Sequence, residues 1–499
     1  MKENPSFFTS RTAWLTALFL LLILGFAIRL YDLTDLPLDF HPTRQLLSAL
    51  KARGMYYETL SNVPAEQKTF AIQQWKVRAA IEPEILEHLV AFTYRFSGEQ
   101  LWIARIYSSL FWLIGAVFLF LLARDLTSID GALAATAMYL FLPYGVSASR
   151  SFQPDPLMVA LIIIFWWAAC QWGKARTSYR FAIVAGLIGG LAILVKFVAA
   201  FFVVAGGLGV LLGRMQLREA LKLPQVYVMA ALGALPGALY MIYGVFIAGY
   251  LGQQFGGRFI SSLFLSPSYY LGWVGMLNHV IGAIPLMLAL LGVLFFVDEK
   301  QRFMTALWAG YALFGLSFNY HISSHDYYSL PLIPIVALSI APLADMVFSR
   351  LGALANTRAG AFTVYGILLL GLFATIWNLR ADMKSVDYRP ETLMWQEIGR
   401  ETSGYNLAGL TQDYGSRLAY WGWLPITSWP TFGDLNYHQD LRGAREDFEK
   451  QFDALAVKKD LFIVTDFDEL ARQPLLEEKL MQFPVFAQGD GYVIYALNP

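Results

Sequence analysis

The sequence predicts an α-helical polytopic membrane protein of about eleven spans, with a long polar loop after the first span and a small α/β domain at its C-terminal end. Three observations carry this prediction. Of 499 residues, 57% are hydrophobic and only 15% are charged, well short of the ~25% charge that solvates a soluble surface. The mean hydropathy is +0.48. Apolar runs close to the ~20 residues that a bilayer core requires recur as far as residue 380, then stop.

The runs are 13–31, 101–123, 130–149, 157–173, 181–195, 197–213, 226–250, 271–297, 303–320, 329–349 and 361–379. The first is too long for the core of a signal peptide, and no small-residue cleavage site follows it before Arg29 and Tyr31, so it reads as a retained span. The stretch 181–213 is apolar throughout except at Lys196, which reads as two short spans joined by a tight turn. Short connecting loops hold Lys174, Arg176 and Arg180, then Arg214, Arg218 and Lys222, then Arg350 and Arg358, and Lys2 and Arg11 fall on the same side. By the positive-inside rule that side is cytoplasmic. The loops 32–100, 150–156, 251–270 and 321–328, and everything after Arg380, are then exterior, and the protein is expected in the cell membrane.

Two polar regions are too large to be connectors. In the loop 32–100, AEQKTFAIQQWKVRAAI sets Phe70, Ile72, Trp75 and Ala79 near one face with charges opposite, the pattern of a helix lying in the membrane interface, and EPEILEHLVAFTYRF reads as a second helix. In the tail, PETLMWQEIGRE (390–401) and DFDELARQPLLEEKL read as helices, while NLAGL (406–410), DLFIVTD (460–466) and GYVIYAL (491–497) read as buried strands. The expected domains are therefore 1–380, embedded in the membrane, and 381–499, an exterior α/β domain. The net charge of zero argues against a nucleic-acid partner. A single cysteine, Cys170, excludes an intramolecular disulfide and a cysteine-based metal cluster.

Chemistry-bearing residues gather on the expected exterior side. The stretch PLDFHPTRQL packs Asp39, His41 and Arg44 into six residues, and the same loop carries Glu82, Glu84, Glu87 and His88. SASRSFQPDPLM supplies Arg150 and Asp155. Lys196 sits at the outer turn between two spans. NYHISSHDYYSLPLIP brings His321, His325, Asp326, Tyr327 and Tyr328. Ionisable groups at membrane depth are costly and mark functional sites. An acid–base site at the outer boundary suits a lipid substrate whose polar head lies at that depth. Ordinary structural roles stand beside these readings: Asp39 as a turn residue beside Pro37, Glu82 and Glu84 as helix-start acids around Pro83, Asp155 near a helix cap, Lys196 as a snorkelling lysine, and Tyr327 and Tyr328 as belt aromatics. His321 and His325 have the i, i+4 spacing of a metal pair, but the intervening serines and the following Pro331 favour a loop.

In order along the chain, RLYDLTDLP at the end of the first span, the helix EPEILEHLVAFTYRFSGEQLWIARIYSSL with its early proline and later arginine, RSFQPDPLM, LAILVKF and HDYYSLPLIP together resemble the GT-C superfamily of polyprenyl-phosphate-dependent glycosyltransferases. The likeness is to the branch that contains protein O-mannosyltransferases and the aminoarabinose transferases of lipid A, and it covers roughly 20–340. It implies a GT-C-like membrane fold, a polyprenyl-phosphate-sugar donor, and a lipid, glycan or protein acceptor. The Asp-Glu pair that the family carries after its first span is absent here. LDFHPTRQ occupies that place, with Asp39 as the nearest carboxylate and His41 as the other candidate base.

The resemblance implies inverting transfer of a sugar to an acceptor hydroxyl, which needs a base, worth ~10²–10⁴-fold in rate. The departing lipid phosphate needs positive charge in a water-poor site, and Lys196, Arg150 and Arg44 are the candidates. A divalent cation is the other route, and no cofactor is otherwise required. Asp155, Glu82 and Glu84 are candidate acidic, substrate or metal residues, and an acid near the sugar would also steady an oxocarbenium-like transition state. His325, Tyr327 and Tyr328 are candidate substrate contacts. Two other classes remain open: a transporter, which would place its ionisable groups at mid-membrane and show paired halves, and a catalytically inactive binding or assembly protein of the same fold.

Overall fold

The structure, a computed structural model, describes residues 7–78, 81–252, 259–442 and 447–498, the side chains of 438 and 440–442 excepted. Lys2 and Ala79, used above, lie outside the described residues. The chain divides into two compact units. The first comprises Met1–Leu33, Ala80–Leu86 and Trp102–Ser385, and the second Thr34–Ala79, Glu87–Leu101 and Val386–Pro499.

In the first unit every apolar run identified in the sequence is occupied by helix. Six helices among the described residues are long and apolar enough to cross a membrane: Arg11–Leu30, Trp102–Leu126, Asp155–Lys174, Pro224–Ile247, Leu332–Leu354 and Arg358–Met383. Ile129–Phe141, Tyr179–Val195 and Ala199–Arg214 are shorter apolar helices. The run 271–297 differs from its expected single span. It forms Pro267–Val280 and Ala283–Val293, bent by 94°, because Gly282 at the junction takes φ 89°, a conformation closed to most side chains. The run 130–149 also breaks, into Ile129–Phe141 and Pro143–Ala148. Pro143 brings no N–H to continue the first helix but suits the opening turn of the second.

Small residues set the helix packing, as expected where lipid is the competing solvent and dispersion contact does the work. Tyr179–Val195 lies against Pro224–Ile242 through Gly186 and Gly190 on one side and Gly233 and Gly237 on the other. A Cβ at Gly186 would stand 2.9 Å from the carbonyl oxygen of Met229, and one at Gly237 would stand 2.7 Å from Ile193 Cγ2. Gly189 on the same helix faces elsewhere, 2.9 Å from Phe165 Cδ2 of Asp155–Lys174. Glycines on two faces fix this helix against two neighbours, and so fix its C-terminal end, where Lys196 begins the turn to Ala199. Gly190→Val is therefore expected to lower the thermal unfolding temperature of the detergent-solubilised protein by several degrees, whereas Gly366→Val, at a position open to its surroundings, leaves it unchanged.

The second unit joins loop helices to the tail. Pro42–Glu58 was not anticipated from sequence as a separate helix. It begins with Pro42 in its first turn and buries ten residues between Gln45 and Met55, Lys51 and Arg53 among them. Ala65–Lys76 packs on it with Ala71 and Gln74 buried and Trp75 against Gly54. Gly54 makes the approach possible, since a Cβ there would meet Trp75 Cβ and stand 2.6 Å from the Ala71 carbonyl oxygen. The tail forms a five-stranded sheet in which β1 (Leu407–Leu410), β2 (Thr427–Ser428), β3 (Leu461–Val464), β4 (Val485–Gly489) and β5 (Tyr492–Ala496) lie in the order β2-β1-β3-β5-β4. β1 pairs in parallel with β2 and β3, while β5 runs antiparallel to both β3 and β4. The three strands read from the sequence are β1, β3 and β5. The edge strands β2 and β4 were not legible: one has two residues and the other is exposed along nearly its whole length. Ala408, Leu410, Trp429, Phe452, Phe462 and Val464 belong to the core of the sheet, packed beneath short helices that include Phe467–Leu470 and Pro474–Leu480.

One buried cation ties the loop helices to the tail within this unit. The Arg53 guanidinium lies 3.6 Å from the centroid of Tyr420 and 4.4 Å from that of Trp423. It also donates from Nε to Glu99 Oε1 at 2.8 Å and from NH1 to the Tyr420 carbonyl oxygen at 2.5 Å. Burial opposes its charge, but the neighbouring Tyr420 and Glu99 more than offset this and hold its pKa above the ordinary arginine value. Arg53→Ala strands a half-buried carboxylate and removes two aromatic contacts. It is expected to cost ~3–5 kcal/mol, measurable as lost resistance of the full-length protein to urea.

Candidate functional site

Three separate breaks in helical structure bring ionisable groups together in the first unit. Tyr179–Val195 ends because Lys196 turns to an extended conformation, φ −156° and ψ 119°, and the next helix opens at Ala199. Asp155 is the first residue of Asp155–Lys174, between Pro154 and Pro156, where a carboxylate also meets the positive end of the helix. Tyr327 and Tyr328 sit in the short 3-10 turn Asp326–Ser329, which follows the extended His325.

Lys196 Nζ donates to Asp155 Oδ1 at 2.9 Å and to Oδ2 at 3.1 Å. Both side chains are nearly inaccessible, 6% and 2% exposed. The same ammonium lies 5.0 Å from the centroid of Tyr327 and 5.2 Å from that of Tyr328, within cation–π range. The outcome is a desolvated cation with one counter-ion and two ring faces. Lys196 also lines a cavity of about 50 Å³ with Glu82, Pro83 and Tyr240. That volume holds a few waters at ~10–15 Å³ each.

The rest of the expected cluster divides. His325 lies edge-on to Tyr327 at 5.7 Å, with Nδ1 2.8 Å from Ser324 Oγ. His321 lies 5.1 Å from Tyr328 and 5.2 Å from His325, ring to ring. Glu84 shares the electrostatic environment of Tyr240 with Glu82. Arg150 is buried and anchored differently: it donates to the Asp32 carbonyl oxygen at 3.0 Å. Asp39, His41 and Arg44 belong to the second unit. There Asp39 is exposed and accepts from Gln45 Nε2 at 3.4 Å, and His41 precedes Pro42–Glu58 with φ 44°, a left-handed conformation. Among the described residues no group of three or more His, Cys, Asp or Glu side chains could hold a metal ion.

Several polar groups in these two units were not singled out from the sequence. In the first, His279 Nε2 lies 3.3 Å from Asp326 Oδ2, and its ring is edge-on to Tyr144 at 5.4 Å. Tyr144 in turn stands in the field of Asp326, Asp155 and Tyr327. Asp32 carries Lys384 Nζ at 3.7 Å. In the second, buried Asp35 accepts from the Tyr388 amide at 3.1 Å and lies 3.7 Å from Arg389 NH1. The motif RLYDLTDLP contained both aspartates. Their partners lie hundreds of residues away, so spacing along the chain carried no signal for the pairs.

Residues 82–243, which span both Lys196 and Asp155, match the dolichyl-phosphate-mannose-protein mannosyltransferase family. Curated protein sequences give no match. Among solved structures, ArnT from Cupriavidus metallidurans bound to undecaprenyl phosphate superposes over 98% of each chain, with a TM-score of 0.55 and 14% identity. This is the GT-C fold. The archaeal oligosaccharyltransferase AglB from Archaeoglobus fulgidus, in complex with an inhibitory peptide and a dolichol-phosphate, shares it with a TM-score of 0.52 and 11% identity, over 97% of this chain and 74% of that one. A second form of the Archaeoglobus oligosaccharyltransferase, tethered to an acceptor peptide, gives a TM-score of 0.52 and 14% identity over 98% and 74%. At these identities the likeness is one of fold. Within the GT-C fold of this chain, the Lys196 break and the Asp326–Ser329 turn are what concentrate charge.

Proposed function

We propose that this protein is an inverting glycosyltransferase that moves a sugar from a polyprenyl-phosphate donor to an acceptor hydroxyl at the outer face of the cell membrane. The observation that supports it best is the buried Lys196–Asp155 pair beneath Tyr327 and Tyr328, in a chain whose fold neighbours are described with undecaprenyl phosphate and dolichol-phosphate. A lysine is a compact point charge, suited to a phosphate oxygen. Asp155 holds it in place through both carboxylate oxygens, and the two rings limit competing water. As the glycosidic C–O bond breaks, negative charge grows on the leaving phosphate, and a fixed ammonium at low local dielectric stabilises that growth. The tyrosine rings and His325 would bound the donor head group.

The base is assigned to Asp39. It is an exposed carboxylate early in the first loop, and a carboxylate placed at the attacking hydroxyl can take its proton. His41 is its alternative. Arg150, tied to the Asp32 carbonyl oxygen, supports the end of the first span. Domain limits near residue 380 and an exterior tail complete the reading.

Orientation is testable by itself. A reporter active only outside the cytoplasm, fused after Arg380, is expected to be active, and the same reporter placed within 174–180 silent. The reverse pattern would move the whole site to the cytoplasmic face.

A further inference from the structure

The second unit holds a cavity of about 440 Å³ that the transferase reading does not use. Its volume falls within the ~300–1,000 Å³ of small-molecule sites. Thr43 and Arg44 from the Pro42–Glu58 helix, Arg78 beyond the end of Ala65–Lys76, Gln74, Tyr414 and Ser416 are its polar lining, and no carboxylate of the described residues lines it.

The polar groups are prepared for a ligand in three ways. Arg78 donates through NH1 to the Gln74 carbonyl oxygen at 2.8 Å and to Gln74 Oε1 at 2.5 Å, and no ion pair to it is formed among the described residues. Its partial burial without a counter-charge lowers its pKa to about 10, so it is a partly desolvated cation that remains charged at neutral pH. Ser416 is buried as a residue, 8% exposed, and its hydroxyl makes no side-chain hydrogen bond to a described residue. The same holds for the Gln74 carboxamide nitrogen, because Oε1 faces Arg78. Two donors and a cation thus end at one space.

The backbone on the opposite wall is strained. Asp413, Tyr414 and Gly415 all have positive φ, at 55°, 54° and 73°. Non-glycine residues persist in that region only where the surroundings over-determine them, and such strain concentrates at ligand sites. Here Asp413 is pinned by Thr43 Oγ1 at 2.7 Å and Arg417 Nε at 2.6 Å, while a Cβ at Gly415 would collide with Ile426 Cγ2. The bend presents Tyr414, 47% exposed, as a ring at the cavity wall.

We propose that this cavity binds an anionic saccharide group, a sugar phosphate or a uronic acid, with Arg78 and Arg44 on the anion, Ser416 and Gln74 on hydroxyls, and Tyr414 against the sugar ring. Its role as the subsite that selects an anionic acceptor rests on the transferase reading, but the binding itself does not. Equilibrium binding without donor or turnover therefore separates the two. Purified full-length protein is titrated calorimetrically with glucose 1-phosphate, glucuronate and glucose. Both anions are expected to bind and glucose is not, and the stronger of the two anions identifies the source of the charge. Arg78→Ala, at a partly exposed helix end, is expected to weaken anion binding about tenfold to hundredfold, and Ser416→Ala to weaken it less. Glucose binding as tightly as glucose 1-phosphate, anion binding that survives Arg78→Ala undiminished, or the absence of binding at millimolar anion would each overturn the proposal. Should Arg78→Ala fail to fold, the comparison of charged with neutral sugars on the parent protein still decides it.

Discussion

Lys196→Ala is expected to reduce sugar transfer by three or more orders of magnitude and to weaken donor binding as well. The ammonium would act on the phosphate in both ground and transition states, so both kcat and KM should move. The same change leaves Asp155, 2% exposed, as a buried charge without its partner. That costs ~3–5 kcal/mol and would by itself lower activity through misfolding. The double variant Lys196→Met with Asp155→Leu separates the two effects. Replacing a buried pair by apolar groups of similar size is often neutral or stabilising, so the double variant is expected to regain thermal stability while remaining unable to bind the donor or transfer sugar. A double variant that transfers at the parent rate would reduce the pair to a structural feature.

The second large effect is expected at Asp39. Asp39→Asn preserves size and removes basicity. Turnover should fall by about two to four orders of magnitude, with donor affinity little changed, because the lost interaction belongs to the transition state. Asp39 is exposed, so the substitution should leave the unfolding temperature where it was. If Asp39→Asn is fully active while His41→Ala is dead, the base is the imidazole.

Much of the helical layout was legible because each run of lipid-compatible residues had to become a helix: no other single segment satisfies its backbone within a bilayer. The residues that end helices were partly legible. Lys196 stood out as one charge in an apolar run, and it does mark the turn. Gly282 did not stand out among the other glycines, and the 94° bend was missed. Pro42–Glu58 was missed for the opposite reason. Lys51 and Arg53 make it read as a surface segment, but both are buried, and Arg53 is compensated by Glu99 and by aromatic rings from residues that the sequence places over three hundred positions away. The pairing of Lys196 with Asp155 was equally invisible. Each residue was singled out separately, but nothing in a separation of 41 positions states that two helix ends meet. The Arg78 cavity had no sequence signature, since its walls come from three segments and its strained wall, Asp413 to Gly415, looks like an ordinary turn.

Transfer of sugar from a lipid phosphate by this chain can be followed with labelled donors. Membranes from cells with and without the chain are incubated with polyprenyl-phosphate donors carrying radiolabelled sugars, and the label is followed into lipid, glycan and protein fractions. Label is expected to leave at least one donor and enter an acceptor fraction only when the chain is present, and to stay on the donor when Lys196→Met with Asp155→Leu replaces the parent. Identical label distributions with and without the chain, for every donor tested, would contradict it.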